Sequence, residues 1–270
     1  MSRHQRLNDI LELVAERGQL GVEEAAVRLG VSVATVRRDF DHLAQQQLLT
    51  RTHGGVVSGS ASLDLPVSYK IARNADGKRR IAAAAAGMVP IGSTIALNGG
   101  TTTHEVARAI ASRRDLAAGS GSPVVTVVTN ALNIATELAV RPQVKILVVG
   151  GVARPQSYEL IGPLTAPTLE RVWVDIAFLG VDAVDPRRGA MAHHEGEAAV
   201  NSELAARAER VVVVADSSKL GASAFAMICD PSRFDVLLTD VDPGTDVREA
   251  FGEHGVEVVV AEPGVEAAGS

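Results

Sequence analysis

The sequence predicts an α/β protein in two parts: an N-terminal winged helix-turn-helix and a C-terminal domain on a mostly parallel sheet. Three observations predict it. The stretch from Gly21 to Gly55 sets out a short helix, a Gly30-Val31 turn, a second helix and the extended run LLTRTHGG. From Lys78 onward, continuous apolar runs alternate with helical segments, the pattern of a parallel sheet covered on both faces. The 270 residues fit one or two domains, and 46% hydrophobic content suffices for a proper core. Only 3% are aromatic, so Val, Ala, Ile and Leu must fill that core. The expected divisions are a helix-turn-helix over 1–57, a Gly/Ser/Pro-rich linker over 58–76, and the α/β domain over 77–270.

In the first part, Val22 to Leu29 forms the first helix of the motif. Ser32 starts the second, because its hydroxyl can accept from a backbone N–H in the first turn. Val36, Phe40 and Leu43 recur at i, i+4, i+7 and make one apolar stripe, which Val33 extends by a turn. Leu11, Val14, Ala25, Ala26 and Leu29 complete a small core. The other face carries Ala34, Thr35, Arg37, Arg38 and Asp41. A narrow core stripe with Thr and Arg outward suits a DNA major groove, where Arg contacts guanine or phosphate. The bland alternative is an ordinary surface helix with two arginines.

In the second part, the helix KRRIAAAAAGMV precedes the strand STIALN. Gly99-Gly100-Thr101-Thr102-Thr103 links that strand to the helix HEVARAIASR. The strand PVVTVVTN, the helix ALNIATELAVR and the strand KILVVGG follow. LERVWVDIAFLGVDAV holds a helix end and a strand, EAAVNSELAARAE a helix, and VVVVAD, FDVLLTD and VEVVVA are strands. Residues 117–123 read as a surface loop and VEAAGS as a frayed tail. Ligands of such sheets bind at the carboxyl ends of the strands. There, Gly99 to Thr103 resembles a phosphate cradle, with free helix N–H groups and hydroxyls but no P-loop lysine. Thr129-Asn130, Gly150-Gly151, Gly180-Val181-Asp182 and Asp216 to Lys219 end other strands. Lys219 and Arg154 can pair with phosphate; Asp182, Asn130 and Glu197 can read sugar hydroxyls. Taken singly, each is also an ordinary turn.

Charge and composition exclude several classes. The net charge is −6, but residues 1–60 hold seven Arg or Lys and seven acids, so that part is neutral. DNA binding must then rest on where the arginines sit, and on two or more copies acting together. Cys229 is alone, which excludes an internal disulfide and fits a small buried hydrophobe. The start MSRHQRLNDI has no apolar leader and no long apolar run follows, so the expected location is cytoplasmic, with no membrane. His193-His194-Glu195 lacks any companion metal motif and reads as a loop. Trp173 reads as core or subunit interface.

The segment VSVATVRRDFDHLAQQQLLTRTHGGVV resembles the N-terminal signature of the DeoR family of bacterial transcription regulators. Ser32, Thr35, Arg37, Arg38, Asp39, Leu43, Arg51, His53, Gly54 and Gly55 match it. The later segments resemble that family's sensor domain at Lys78, Gly99 to Thr103, Thr129, Asn130, Gly150, Gly151, Gly162, Phe178 to Gly180 and Asp216 to Lys219. The resemblance implies a repressor of carbohydrate genes that binds double-stranded operator DNA and is released by a phosphorylated sugar. The implied DNA-contacting set is Ser32, Ala34, Thr35, Arg37, Arg38, Arg51 and His53, the last either touching phosphate or simply turning the wing. The implied effector set is Gly99, Gly100, Thr101, Thr102, Thr103, Thr129, Asn130, Gly151, Arg154, Asp182, Glu197 and Lys219. No cofactor, metal or catalytic residue is implied, and the protein is expected to be a homodimer or homotetramer. A ligand-independent activator is one alternative. Another is an enzyme, because that sensor fold is similar to ribose-5-phosphate isomerase. Here only Asp182 of the isomerase's aspartate pair remains, and His194 stands about where its catalytic lysine would lie, although Glu203 matches its glutamate. An enediol mechanism needs a base and an electrophile, so catalysis is not expected.

Overall fold

The computed structural model describes residues 1–46, 48–58, 73–117 and 123–262. The chain divides into two compact units, Met1–Arg73 and Asn74–Ser270. Most of the expected 58–76 linker, most of the 117–123 loop and the VEAAGS tail lie outside the described residues.

The first unit holds α1 (Arg3–Arg17), β1 (Gln19–Gly21), α2 (Val22–Leu29), α3 (Val33–Gln45), β2 (Leu49–Arg51) and β3 (Gly55–Ser58). Ser2 caps α1 and Ser32 caps α3, each accepting a backbone N–H of the first turn. The strands form an antiparallel sheet in the order β1-β3-β2. Gly55 is needed where β1 and β3 meet, because a Cβ there would overlap the Leu20 carbonyl oxygen. Val36, Phe40 and Leu43 of α3 are buried with Ile10, Leu11, Val14, Leu20, Ala25, Leu29 and Val56 in one core. Ala26 packs at its margin. Val33 does not extend the stripe: it is 37% exposed.

The second unit is built on seven parallel strands in the order β15-β14-β12-β9-β4-β5-β6. Their ranges are β4 (Thr94–Leu97), β5 (Val125–Thr129), β6 (Val144–Val148), β9 (Val174–Gly180), β12 (Ala208–Val214), β14 (Val236–Thr239) and β15 (Glu257–Val260). The chain steps outward from β4 to β6, returns to lay β9 beside β4, and steps outward the other way to β15. The strand order therefore reverses between β4 and β9, which makes that junction the place for a ligand crevice.

Two cores flank the sheet. One is lined by α4 (Ala75–Gly87), α5 (Thr101–Ala111), α6 (Arg114–Ala117) and α7 (Leu132–Ala139). The other is lined by α8 (Ala166–Leu169), α9 (Glu195–Ala206), α10 (Thr245–Gly252) and a small antiparallel sheet. That sheet runs β10-β11-β13, from Ala183–Asp185, Gly189–Ala192 and Ala226–Cys229. A short hairpin joins β7 (Val152–Ala153) to β8 (Leu160–Ile161). These antiparallel pieces carry no sequence alternation long enough to predict them. Helix α4 starts inside the span expected to be linker, and α5 starts at Thr101, so the threonines form its first turn.

Trp173 is not in the core: it is 68% exposed, with the Arg207 guanidinium 5.6 Å from its ring centre. Cys229 is buried, and that burial pushes its thiol up to about 11. Such a thiol stays protonated at neutral pH.

Candidate functional site

Helix α3 presents Ser32, Ala34, Arg37 and Arg38 to solvent, while Thr35 is half-buried. The Ser32 hydroxyl lies 2.9 Å from that of Thr35 and accepts the Thr35 N–H at 3.2 Å, so both hydroxyls also serve the cap. Arg38 donates back to the Ala34 carbonyl at 3.3 Å. Arg51, on β2, is held by Asp41 at 3.1 Å and lies 5.7 Å over the Phe40 ring. His53 is exposed in the turn between β2 and β3. The third residue of the Arg-Arg-Asp run has a different role. Asp39 is buried and takes Arg6 Nε at 2.6 Å and its other nitrogen at 3.4 Å, with Arg3 at 3.8 Å. That hydrogen bond raises the Arg6 pKa further above its usual value. Asp39 thereby fixes α1 against α3, a long-range partnership that the motif by itself does not reveal.

The carboxyl edge of the large sheet carries several of the other predicted residues. Because all seven strands are parallel, Gly99, Asn130, Gly150, Val181 and Asp216 follow their strands on the same edge. Adjacent ends lie about 4.8 Å apart along it. At the switch point, Asn98 bridges the diverging strands: its amide donates to the Gly180 carbonyl and accepts the Gly180 N–H, both at 2.8 Å. Gly100, at φ 139°, leads into α5, where Thr102 and Thr103 are buried. The first-turn N–H groups of α5 have no partner within the helix and form its positive end.

Several predicted residues have work within the fold. The Thr129 hydroxyl accepts the Ala131 N–H at 3.1 Å and so closes the turn after β5. Arg154 donates to Glu197 at 2.9 Å, so these two meet as a pair across the β7–β8 hairpin and α9. Asp182 accepts the His193 N–H at 3.0 Å. Gly151, at φ 143°, leads into β7, where a Cβ would press on the Ile161 carbonyl oxygen at 2.9 Å. Lys219 ends a 3-10 turn, Ser217–Lys219, that is capped by buried Asp216. His194 caps α9, its Nδ1 accepting the Gly196 N–H at 3.1 Å.

Sequence reasoning missed Asn98, Asp240 and Glu159. Asp240, at the end of β14, accepts the Ser217 N–H at 2.7 Å and the Asn74 amide at 2.8 Å. These hydrogen bonds outweigh burial and lower its pKa. Glu159 is buried on the hairpin; Asn130 donates to it at 2.8 Å. Burial, then the charges of Glu197 and Asp182, push its carboxyl from the usual 4.5 up to about 8. The Asn130 amide and Arg154 pull the other way. A lone carboxyl between Ser157-Tyr158 and Leu160-Ile161 carried no periodic signal. The one clue was an acidic residue between two glycine turns.

Comparison with known proteins supplies the remaining findings. A family model described as the DeoR C-terminal sensor domain matches residues 73–241, and a DeoR-like helix-turn-helix model matches residues 6–61. The glycerol-3-phosphate regulon repressor of Escherichia coli K12 is 31% identical over 258 residues, covering 96% of this chain and 99% of its own. The HTH-type transcriptional regulator GlpR of Haloferax volcanii is 33% identical over 256 residues, covering 94% and 96%. Among solved structures, ribose 5-phosphate isomerase A from Methanocaldococcus jannaschii aligns with a TM-score of 0.40. Its identity is 22%, over 54% of this chain and 55% of its own.

Proposed function

The chain belongs to the DeoR family of transcription regulators, and from that premise we propose that it represses carbohydrate genes and releases its operator on binding a phosphorylated sugar. The observation that carries the DNA half is α3. Its Val36, Phe40 and Leu43 face is buried while Arg37 and Arg38 are exposed on the other side. Arg37, Arg38 and Thr35 then contact the major groove, with Arg51 and His53 of the wing on the backbone. The observation that supports the sensor half is the switch point between β4 and β9: Asn130, Asp182 and Lys219 follow β5, β9 and β12 on the sheet edge where α5 begins. An effector phosphate would sit against Gly99 to Thr103, with Lys219 adding charge from a neighbouring strand end.

In this reading the DNA-binding domain spans 1–57, residues 58–76 connect, and 77–270 sense. The protein works in the cytoplasm as a homodimer or homotetramer, because one neutral winged unit offers few phosphate contacts. No helix among the described residues is long and apolar enough to cross a membrane. Catalysis forms no part of the reading: His194 is occupied as a helix cap where an isomerase needs a lysine.

The test is a fluorescence-anisotropy titration on DNA from the intergenic region beside the gene, repeated with a panel of sugar phosphates. Specific binding, released by one sugar phosphate and not by the free sugar, is expected. The coupling should be roughly 1–3 kcal/mol. Equal affinity for unrelated DNA, or release by the free sugar, overturns the reading.

A further inference from the structure

Glu159 occupies a position that the proposed pocket needs. A Cβ placed on Gly99 would overlap the Glu159 side chain, with its carboxyl oxygen only 2.6 Å away. The carboxyl therefore lies against the residue that leads into α5, where the positive helix end attracts an anion. Asn130 holds it there at 2.8 Å.

The seat is poorly furnished. The side-chain amide oxygen of Asn130, Oδ1, is buried and, among the described residues, has no hydrogen-bond partner. Glu197 and Asp182 repel the carboxylate, and Arg154 is shared with Glu197 at 2.9 Å. Tyr158, just before Glu159, is held at φ 62°, a left-handed conformation that a side chain disfavours. The β7–β8 hairpin thus delivers a carboxyl group to an anion-attracting position at some cost to itself.

We infer that Glu159 determines which anions the pocket admits: its side chain fills the approach to Gly99, so an incoming anionic group binds only by displacing it. The inference rests on the reading of this edge as a sugar-phosphate pocket. Inorganic phosphate gains only the helix N–H groups and a lysine, and does not displace the side chain. A phosphate ester adds hydroxyl contacts to Asn130, Asp182 or Glu197, and does. Glu159 would in this way keep a sugar-phosphate sensor from responding to free phosphate.

The test is isothermal titration of the whole protein with inorganic phosphate and with a panel of pentose and hexose phosphates, for wild type, Glu159→Ala and Glu159→Gln. Glu159→Ala, which empties the seat, should bind inorganic phosphate at least about tenfold tighter than wild type. Measured above about pH 8, where Glu159 is ionised, Glu159→Gln keeps the bulk and loses the charge, so it should fall between them. Its intermediate affinity decides the matter if the alanine variant does not fold. If the variants bind inorganic phosphate no tighter than wild type while sugar phosphates still bind, the inference falls and the pocket stands. If no sugar phosphate binds any of the three, the pocket and the inference fall together.

Discussion

Both units bury carboxylates, and they do so in opposite ways. In the winged unit, Asp39 is buried against two arginines, Arg6 at 2.6 Å and Arg3 at 3.8 Å. In the α/β unit, buried Glu159 is crowded by the charges of Glu197 and Asp182, while Arg154 pairs with Glu197 at 2.9 Å. The first arrangement is over-supplied with positive charge and holds two helices together. The second crowds carboxylates, and buried Glu159 responds by holding its proton to about pH 8. A fold that is consistent elsewhere and strained at one cluster places its adaptable chemistry there.

The largest expected effect breaks the well-supplied pair. Asp39→Ala takes the partner from half-buried Arg6, a loss of about 1.5–3 kcal/mol for hydrogen bonds to a charged group. Hydrogen exchange should show the winged unit opening while the α/β unit keeps its protection. Operator binding should vanish although Asp39 is buried away from the proposed DNA face. Unchanged protection in α1 and α3 would remove Asp39 from its structural role.

The next effect concerns the crowded cluster. The unfolded Glu159 ionises near 4.5, the folded one near 8. The proton is therefore bound more tightly in the folded state. Its stabilisation is complete below 4.5, declines as pH rises, and is gone above about 8. The groups facing Glu159 are Asn130, Glu197, Asp182 and Arg154. Within that window the slope is at most about 1.4 kcal/mol per pH unit. Glu159→Gln should flatten the dependence of the unfolding free energy on pH across it. An identical slope in wild type and variant would show that Glu159 does not hold the extra proton.

The third effect separates contact from stability. Arg37→Ala and Arg38→Ala should each weaken operator binding by about 1–3 kcal/mol if they read bases. Unfolding should shift by only about 0.5 kcal/mol or less, because both are exposed. Operator affinity unchanged in the double variant would move the recognition surface off α3.

These contrasts explain how much was legible beforehand. The core stripe Val36, Phe40 and Leu43 repeats at helical spacing, and the strand runs are long and apolar, so elements and layers could be read directly. The glycine-rich strand ends were readable too, because turn chemistry is local. Partnerships across long sequence distances were not. Asp39 lies 33 residues from Arg6, and Glu159 lies 29 from Asn130. Nothing in either neighbourhood reveals the other member. For the same reason Asp39 read as part of a DNA motif, and Val33, at the right spacing, read as core although it is exposed. The short β7–β8 hairpin that places Arg154 and Glu159 has two-residue strands, too short for any alternation.

The smallest effect supplies a control for the first within the same unit. Glu24 also stands between two arginines, Arg17 at 2.7 Å and Arg28 at 3.1 Å. The chemistry matches that of Asp39 with Arg6 and Arg3; only the surroundings differ. The side chains of Glu24, Arg17 and Arg28 are each 42% exposed, against 4% for Asp39. In solvent the charges are screened and two long side chains must be ordered, so such a pair contributes only about 0.2–1 kcal/mol. Removing Glu24 strands no buried charge, because both arginines simply return to water. Glu24→Ala should therefore cost at most about 1 kcal/mol in urea unfolding, and less at high salt. Should Glu24→Ala destabilise the winged unit as much as Asp39→Ala, burial would not be what separates the two clusters, and the contrast between the units would lose its basis.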